Sequence, residues 1–378
     1  MLDLTLPVAA LKEFILDELQ GHPRAIGWFF AIEMLAYLLA APVWGALSDR
    51  LGRRRIFLVL GFGGSSLLSG LYLVTETVQQ LLVLRFFQGA FSVMGWSTAL
   101  TVVADSTTPQ DRSRVMGFAG AAIIFGVGCG APLGGWLAYA FGARMPLAAA
   151  SILFSVLALL SLHVEEPVRR EKQQTVRQIV GTLLAAPHLL LPWGVYAWVR
   201  AAVGIVVILL PLYAEARTGA SAKERGELLG LFLLPFALLQ PLTYRLTDRL
   251  GVRAALVSGL VGFAAGLTFL PWWSGLGLAL WMALLGTASA VLLPPTLFLT
   301  VQWTPPTSRA TGIAGFNLCG SLGFGVGPLL AVPLLELFGF RGAFALVGFT
   351  GIALAPLAAS FLPVAAKEEG KERRAPAT

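Results

Sequence analysis

Four ionisable residues stand in apolar stretches of the chain: Asp3, Glu33, Arg85 and Arg200. A charge in hydrocarbon costs several kcal/mol unless it is paired, so each is a candidate for chemistry rather than packing. Carboxylates and guanidiniums in such surroundings do ion pairing and proton exchange. A carboxylate beside a guanidinium stays ionised, and one left alone in a low dielectric takes up a proton. Arg85 therefore requires Asp3 or Glu33 as a partner, and separating the pair would switch protonation. The indoles of Trp96, Trp198 and Trp281 are available to line a pocket. Enzyme chemistry is poorly supplied. The histidines, His22, His163 and His188, are scattered, and no nucleophile–base pairing, metal-ligand cluster or Gly-x-x-x-x-Gly-Lys-Ser/Thr phosphate loop occurs. Neither an enzyme, nor ATP drive, nor a metal or cofactor is expected.

The elements that must position these residues follow from composition. Of 378 residues, 57% are apolar and 12% charged, about half the charged share of a soluble domain. Mean hydropathy is +0.78, which excludes both a soluble globular protein and a disordered one. A crossing helix needs about 20 apolar residues, so the length accommodates about twelve. Residues 56–75, 115–143 and 254–308 carry no charge. The last run is too long for one crossing, and Trp272-Trp273-Ser274-Gly275 splits it with aromatics at headgroup level. The expected spans are 1–16, 25–47, 56–75, 80–103, 115–141, 145–163, 187–214, 227–246, 252–273, 276–301, 309–338 and 341–363. No alternating ten-residue segments of a β-barrel appear. The chain reads as an all-α polytopic membrane protein. Cys129 and Cys319 both lie in apolar runs, which rules out a disulfide framework.

Basic residues favour cytoplasmic loops. One set of alternating loops, with the tail, holds 18 of the 27 Lys and Arg residues; the other set holds 6. This places both termini in the cytoplasm and the chain in the plasma (inner) membrane. It also explains the net charge of +7 without nucleic acid, since the basic residues are dispersed over loop ends.

The sequence repeats at about 195 to 199 residues. Ser48-Asp49-Arg50-Leu51-Gly52-Arg53-Arg54 recurs as Thr247-Asp248-Arg249-Leu250-Gly251-Val252-Arg253. Ser113-Arg114-Val115-Met116-Gly117 recurs as Ser308-Arg309-Ala310-Thr311-Gly312, and Phe141-Gly142-Ala143-Arg144 as Phe338-Gly339-Phe340-Arg341. Three matches in one order indicate two six-helix bundles, at 1–163 and 187–364. A cytoplasmic linker (164–186) joins them, and a charged tail (365–378) follows. Parallel six-helix repeats are a layout of secondary transporters, with substrate near the midplane between them.

The loop Gly45-Ala46-Leu47-Ser48-Asp49-Arg50-Leu51-Gly52-Arg53-Arg54 resembles the signature loop of the major facilitator superfamily, Gly-x-Leu-x-Asp-Arg-x-Gly-Arg-Arg. Leu84-Arg85-Phe86-Phe87-Gln88-Gly89 resembles its fourth-span Arg-x-x-Gln-Gly. Asp3-Leu4-Thr5-Leu6-Pro7 is similar to the first-span Asp-x-x-x-Pro of its twelve-span multidrug:proton antiporters. Gly126 through Gly135 resembles their glycine-rich fifth-span motif, with Ala131 in the usual proline position and Pro132 after it. The resemblance implies the major facilitator fold, two six-helix bundles related by pseudo-two-fold symmetry. It implies proton and substrate coupling at Asp3 and Arg85, to which Glu33 is added as an available partner. It implies a conformational latch at Gly45, Asp49, Arg50, Gly52 and Arg53, with a partial copy at Asp248, Arg249 and Gly251. In the fifth span, Gly126, Gly130, Pro132, Gly134 and Gly135 would provide close packing. Spans 1, 4, 7 and 10 line the family's cavity, so Arg200 is expected there with the three tryptophans.

The function expected is proton-coupled efflux of small amphiphilic or drug-like compounds by alternating access, without ATP, from a monomer in the lipid bilayer. The alternatives are an organic-anion or sugar-type carrier, motivated by the two intramembrane arginines, and, from another class, an integral-membrane enzyme. The first span has only about 16 residues before Asp17, roughly 24 Å of helix against a hydrocarbon core of roughly 30 Å. It is expected to be a shortened span.

Overall fold

The computed structural model describes residues 2–107, 111–166, 176–305 and 308–361. Among them every regular element is helical. The first half contains α1 (Leu2–Thr5), α2 (Arg24–Leu51), α3 (Arg54–Leu71), α4 (Val78–Asp105), α5 (Arg112–Phe141) and α6 (Met145–Ser161). A short amphipathic helix α7 (Val176–Ala185) precedes the second half. That half contains α8 (Leu190–Thr218), α9 (Ala222–Leu238), α10 (Gln240–Leu250), α11 (Val252–Phe269), α12 (Gly275–Ala290), α13 (Leu293–Trp303) and α14 (Arg309–Phe361).

Helix ends follow local rules. Gly52 and Gly219 take left-handed conformations (φ 63° and 67°) after α2 and α8, which a side chain would disfavour. Ser221 and Glu224 form a reciprocal capping box at the start of α9. Among the described residues, eight segments are long and apolar enough to cross a bilayer, and the last of them, Thr311–Phe361, has 51 residues, enough for two crossings. It turns at Gly339 (φ 64°, ψ 178°). With the bent pair Ala222–Leu250, the short α6 and the first segment, the count reaches the twelve spans expected.

Three of the expected spans are broken, each at proline, and two others run on as one element. The segment expected at 227–246 is α9 and α10, bent by 60°, with Pro235 inside α9 and a proline in the first turn of α10. The segment expected at 276–301 breaks between α12 and α13, just before Pro294 and Pro295. A proline ring has no N–H to give and clashes with the preceding turn. The first segment is α1, a 3-10 turn at Val8–Ala10 after Pro7, and a π-helical stretch at Glu13–Glu18. The spans expected at 309–338 and 341–363 run on as α14 because Gly339 alone forms their turn.

In the first half α3 packs on α4 and α6, and α2 on α4; in the second α8 and α11 pack on α14, and α9 on α12. The halves meet through α5 against α9 and α2 against α14. Several side-chain contacts between the halves run along α2 toward one end of the molecule. Along α2, Arg24 bonds Glu336, Gly27 abuts Pro328, Phe30 packs edge-on against Phe324, and Met34 abuts Gly325. This closed end carries the loops at Leu19–Pro23, Gly142, Gly219 and Gly339; the opposite end carries those at Gly52 and Gly251.

Candidate transport site

Arg85 projects from two turns into α4 toward α2, and both members of its pair are buried, Arg85 at 3% and Glu33 at 0% exposure. Its Nη2 lies 2.5 Å from Glu33 Oε2, Nη1 donates to Gln88 Oε1 at 3.0 Å, and Nε to the Phe29 carbonyl at 3.3 Å. The guanidinium also lies 4.0 Å over the Phe29 ring. The second Glu33 oxygen accepts from Tyr37 Oη at 3.3 Å, and Tyr37 bonds Ser92 at 3.0 Å. A charge pair buried so deeply is tolerable only when its remaining donors and acceptors are satisfied, and this one is.

Of the two carboxylates expected to serve Arg85, Glu33 makes the direct contact. Asp3 is also buried, at 5% exposure, and close enough for its charge to act on both Glu33 and Arg85. Tyr37 was not foreseen; its signal is its place one helical turn from Glu33, on the same face. Trp96 packs against the Tyr37 ring, and its indole N–H is buried without a hydrogen-bond partner among the described residues.

The C-terminal half contributes Arg200, partly exposed, with its guanidinium 4.6 Å from the Phe324 ring centroid. Arg200 has no carboxylate partner among the described residues. The structure does not bring Trp198 and Trp281 to this group. Trp198 donates to Thr350 Oγ1 at 3.0 Å and packs on Phe263, while Trp281 donates to the Gly266 carbonyl at 2.8 Å and stacks on Trp273. Both are held at helix contacts within the second half.

The glycine-rich stretch of α5 has two faces. Gly126, Gly130 and Gly134, at helical spacing, lie against Leu2, Thr5 and Leu6 of the first segment; Thr5 Oγ1 also donates to the Val127 carbonyl at 2.7 Å. Pro132 and Gly135 face α9 of the other half, against Gly230 and against Ala222 and Gly226. At Gly134 a β-carbon would overlap the Leu6 carbonyl oxygen, so only glycine allows this approach. One helix thus holds the Asp3 segment and seals the seam between halves.

An ionic cluster closes that seam, and the sequence did not reveal it. Arg225, at 1% exposure, donates to Glu215 at 2.9 Å and to Glu13; Lys12 lies 2.5 Å from Glu215 and 3.8 Å from Asp17. The partners are separated by up to 212 residues, and nothing in the pattern pairs them beyond charges at span ends of opposite halves. Hydrogen bonds to charged groups contribute about 1.5–3 kcal/mol each, so Arg225→Ala should loosen the closed end. The expected result is a longer distance between spin labels at Glu76 and Leu337, both exposed and on opposite halves; an unchanged distribution would show that the cluster does not hold the seam.

At the opposite end, Gly45 is buried in α2 and Gly52 caps it, while Arg50 and Arg53 are exposed. The side chain of Asp49 lies outside the described residues. Arg54 instead is buried: Nη1 donates to Ser48 Oγ at 2.8 Å, and Nη2 lies 3.5 Å from Asp105. The Glu166 carboxylate accepts from the backbone N–H groups of Arg54 and Arg55 at 2.7 and 3.0 Å, an anion at a helix N-terminus. In the copied loop Gly251 has φ 81°, and Asp248 and Arg249 are exposed. None of Arg50, Arg53, Asp248 and Arg249 makes an ion pair with a described residue.

Comparison with known proteins fits this arrangement. The family model described as Major Facilitator Superfamily matches residues 1–221 and 193–378. Curated relatives include the "Multidrug resistance protein MdtG" of Dickeya zeae, 28% identical over 343 residues, covering 86% of this chain and 82% of the relative. The protein of the same name from Salmonella typhi is 28% identical over 344 residues, with the same coverage. Among solved structures, the nucleoside transporter NupG aligns with a TM-score of 0.77 at 12% identity, over 95% of this chain and 96% of that one. A D-xylose-proton symporter gives 0.76 at 17% identity (96% and 93%), and the human organic anion transporter MFSD10 gives 0.66 at 20% (94% and 97%). With both halves matched by one family model, two six-helix bundles and an ion pair buried between spans, the chain is an integral-membrane transporter of small molecules, not an enzyme, and belongs to the major facilitator superfamily.

Proposed function

We propose that the protein exports small amphiphilic or drug-like compounds in exchange for protons, as a monomer, by rocking its two halves around a midplane site. The observation that carries this reading is the Glu33–Arg85 pair, buried in the membrane with the charge of Asp3 acting on it. When the halves move, a carboxylate that loses its guanidinium in a low dielectric takes up a proton, and one that regains it gives the proton back. Export rather than uptake is supported by the names of the curated relatives, multidrug resistance proteins. The distribution of basic loops supports placing both termini in the cytoplasm. An organic-anion or sugar-type carrier is the second reading, favoured by Arg200, whose guanidinium meets an aromatic ring rather than a carboxylate.

The test is transport in proteoliposomes under an imposed pH gradient, with a panel of cationic, neutral and anionic compounds. Efflux of at least one amphiphilic class should follow the gradient and collapse with it, and Asp3→Asn should uncouple the two. Transport indifferent to pH for every compound would overturn proton coupling. An Arg200→Ala variant impaired only for anionic compounds would favour the second reading.

A further inference from the structure

The two copies of the Phe-Gly-x-Arg turn hold their arginines differently. In the first half Arg144 is saturated: Nε donates to Glu18 Oε2 at 2.6 Å, Nη1 to the Leu73 carbonyl at 2.5 Å, and Nη2 to the Thr75 carbonyl at 3.1 Å. Its guanidinium lies 5.3 Å from the Phe14 ring centroid. The repeat carries Arg144 to Arg341, Glu18 to Arg217, Phe14 to Tyr213, and Leu73 and Thr75 to Pro271 and Trp273.

Two of these exchanges undo the first-half arrangement. The Tyr213 hydroxyl, absent from Phe14, sits 2.9 Å from both the Pro271 and Trp273 carbonyl oxygens and takes the acceptors that Arg144 uses in the other half. The glutamate is replaced by a second cation. Arg341 retains only a ring contact, 5.7 Å from the Trp272 centroid, and neither Arg217 nor Arg341 has a hydrogen-bond or ion-pair partner among the described residues. Both line a cavity of about 460 Å³ with Tyr213, Pro271 and Phe340, and both charges reach the Tyr213 hydroxyl. Two cations on one cavity repel unless an anion lies between them. A phosphate accepts from two guanidiniums at once.

The surroundings identify the carrier of that anion. Phe338, 55% exposed, lines the cavity, and its chain neighbour Leu337 (74%) and Trp272 (55%), next to the lining Pro271, are exposed beside it. Tryptophan beside apolar side chains at a helix end marks the headgroup level of a bilayer, and paired guanidiniums at that level meet the phosphates of lipid headgroups. We propose that this cavity binds the phosphate of an anionic phospholipid between Arg217 and Arg341, with the acyl chains lying over Phe338 and Leu337.

The test is native mass spectrometry of the full-length protein titrated with phosphatidylglycerol, with phosphatidylcholine as the zwitterionic control. Arg217→Glu rebuilds the first-half pairing with Arg341, so the fold is kept while the anion is excluded; Arg341→Ala removes the other half of the clamp. Either variant should weaken phosphatidylglycerol retention about tenfold, the loss expected for one charge-assisted contact, and leave phosphatidylcholine retention and the thermal midpoint of the delipidated protein unchanged. Wild-type retention of phosphatidylglycerol in both variants would overturn the proposal. Inorganic phosphate that stabilises the protein as much as phosphatidylglycerol, and displaces it, would also overturn it by showing a site for soluble anions.

Discussion

Arg85→Ala is expected to abolish transport and to lower stability by about 3–5 kcal/mol, the cost of leaving one member of a buried pair uncompensated. The loss comes from Glu33, at 0% exposure, which without the guanidinium 2.5 Å away must hold its charge unpaired or take up a proton at a free-energy cost. Glu33→Gln separates charge from structure. The glutamine oxygen still accepts from Arg85, and Gln88, Phe29 and the ring below continue to hold the guanidinium. This variant should lose less stability than Arg85→Ala, exchange substrate across proteoliposomes, and lose acceleration by a pH gradient. The double variant Arg85→Ala with Glu33→Gln should recover most of the stability lost by Arg85→Ala alone, because the orphaned charge is gone; contacting groups show such non-additivity. A single Arg85→Ala variant as stable as wild type would refute the buried pair, and undiminished pH-driven transport by Glu33→Gln would remove Glu33 from the coupling path.

The second large effect belongs to α5. Gly135→Val adds a side chain where a β-carbon would already lie 3.0 Å from Gly226 Cα and crowd the Ala222 carbonyl of the other half. Overpacking costs about 1–3 kcal/mol, here charged almost wholly to the closed arrangement. A shift of that size moves a two-state population by about 5- to 150-fold. The expected readout is a longer Glu76–Leu337 label distance with little change in thermal midpoint. Gly134→Val, one residue away, should behave in the opposite manner. Its β-carbon meets Leu6 within the same half, so the midpoint falls while the distance distribution stays. Identical behaviour of the two variants would contradict the division of α5 into an intra-half and an inter-half face.

What was legible depended on the range of the interaction. Arg85, Glu33 and Asp3 stand out in sequence because charge is rare at mid-span, and the penalty that makes them rare acts residue by residue. The choice between Asp3 and Glu33 as the direct partner was not legible, since it depends on which helix α4 packs against and at what height. Trp198 and Trp281 illustrate the same limit. Both are amphipathic residues in apolar runs, and their indole N–H groups go to Thr350 and Gly266, acceptors that sequence spacing does not single out.

Proline breaks were partly readable: Pro294-Pro295 and Pro7 announce where a helix must yield, though the 60° bend between α9 and α10 also reflects the packing of each segment on its neighbours. Gly134 was legible as one of a set at helical spacing, and its necessity was not, because the Leu6 carbonyl that excludes a side chain comes from 128 residues earlier. By itself, then, the sequence determined an all-helical membrane protein, its internal duplication, its family resemblance and the charges it buries, since hydrophobicity, turn chemistry and repeat spacing are local properties. Only the tertiary structure decided that Glu33 holds Arg85, that Arg225 ties Glu13 to Glu215 across the seam, and that Arg217 and Arg341 share a cavity where the other half has an ion pair. Those contacts join residues far apart in the chain, and their energies exist only once the helices have taken their places.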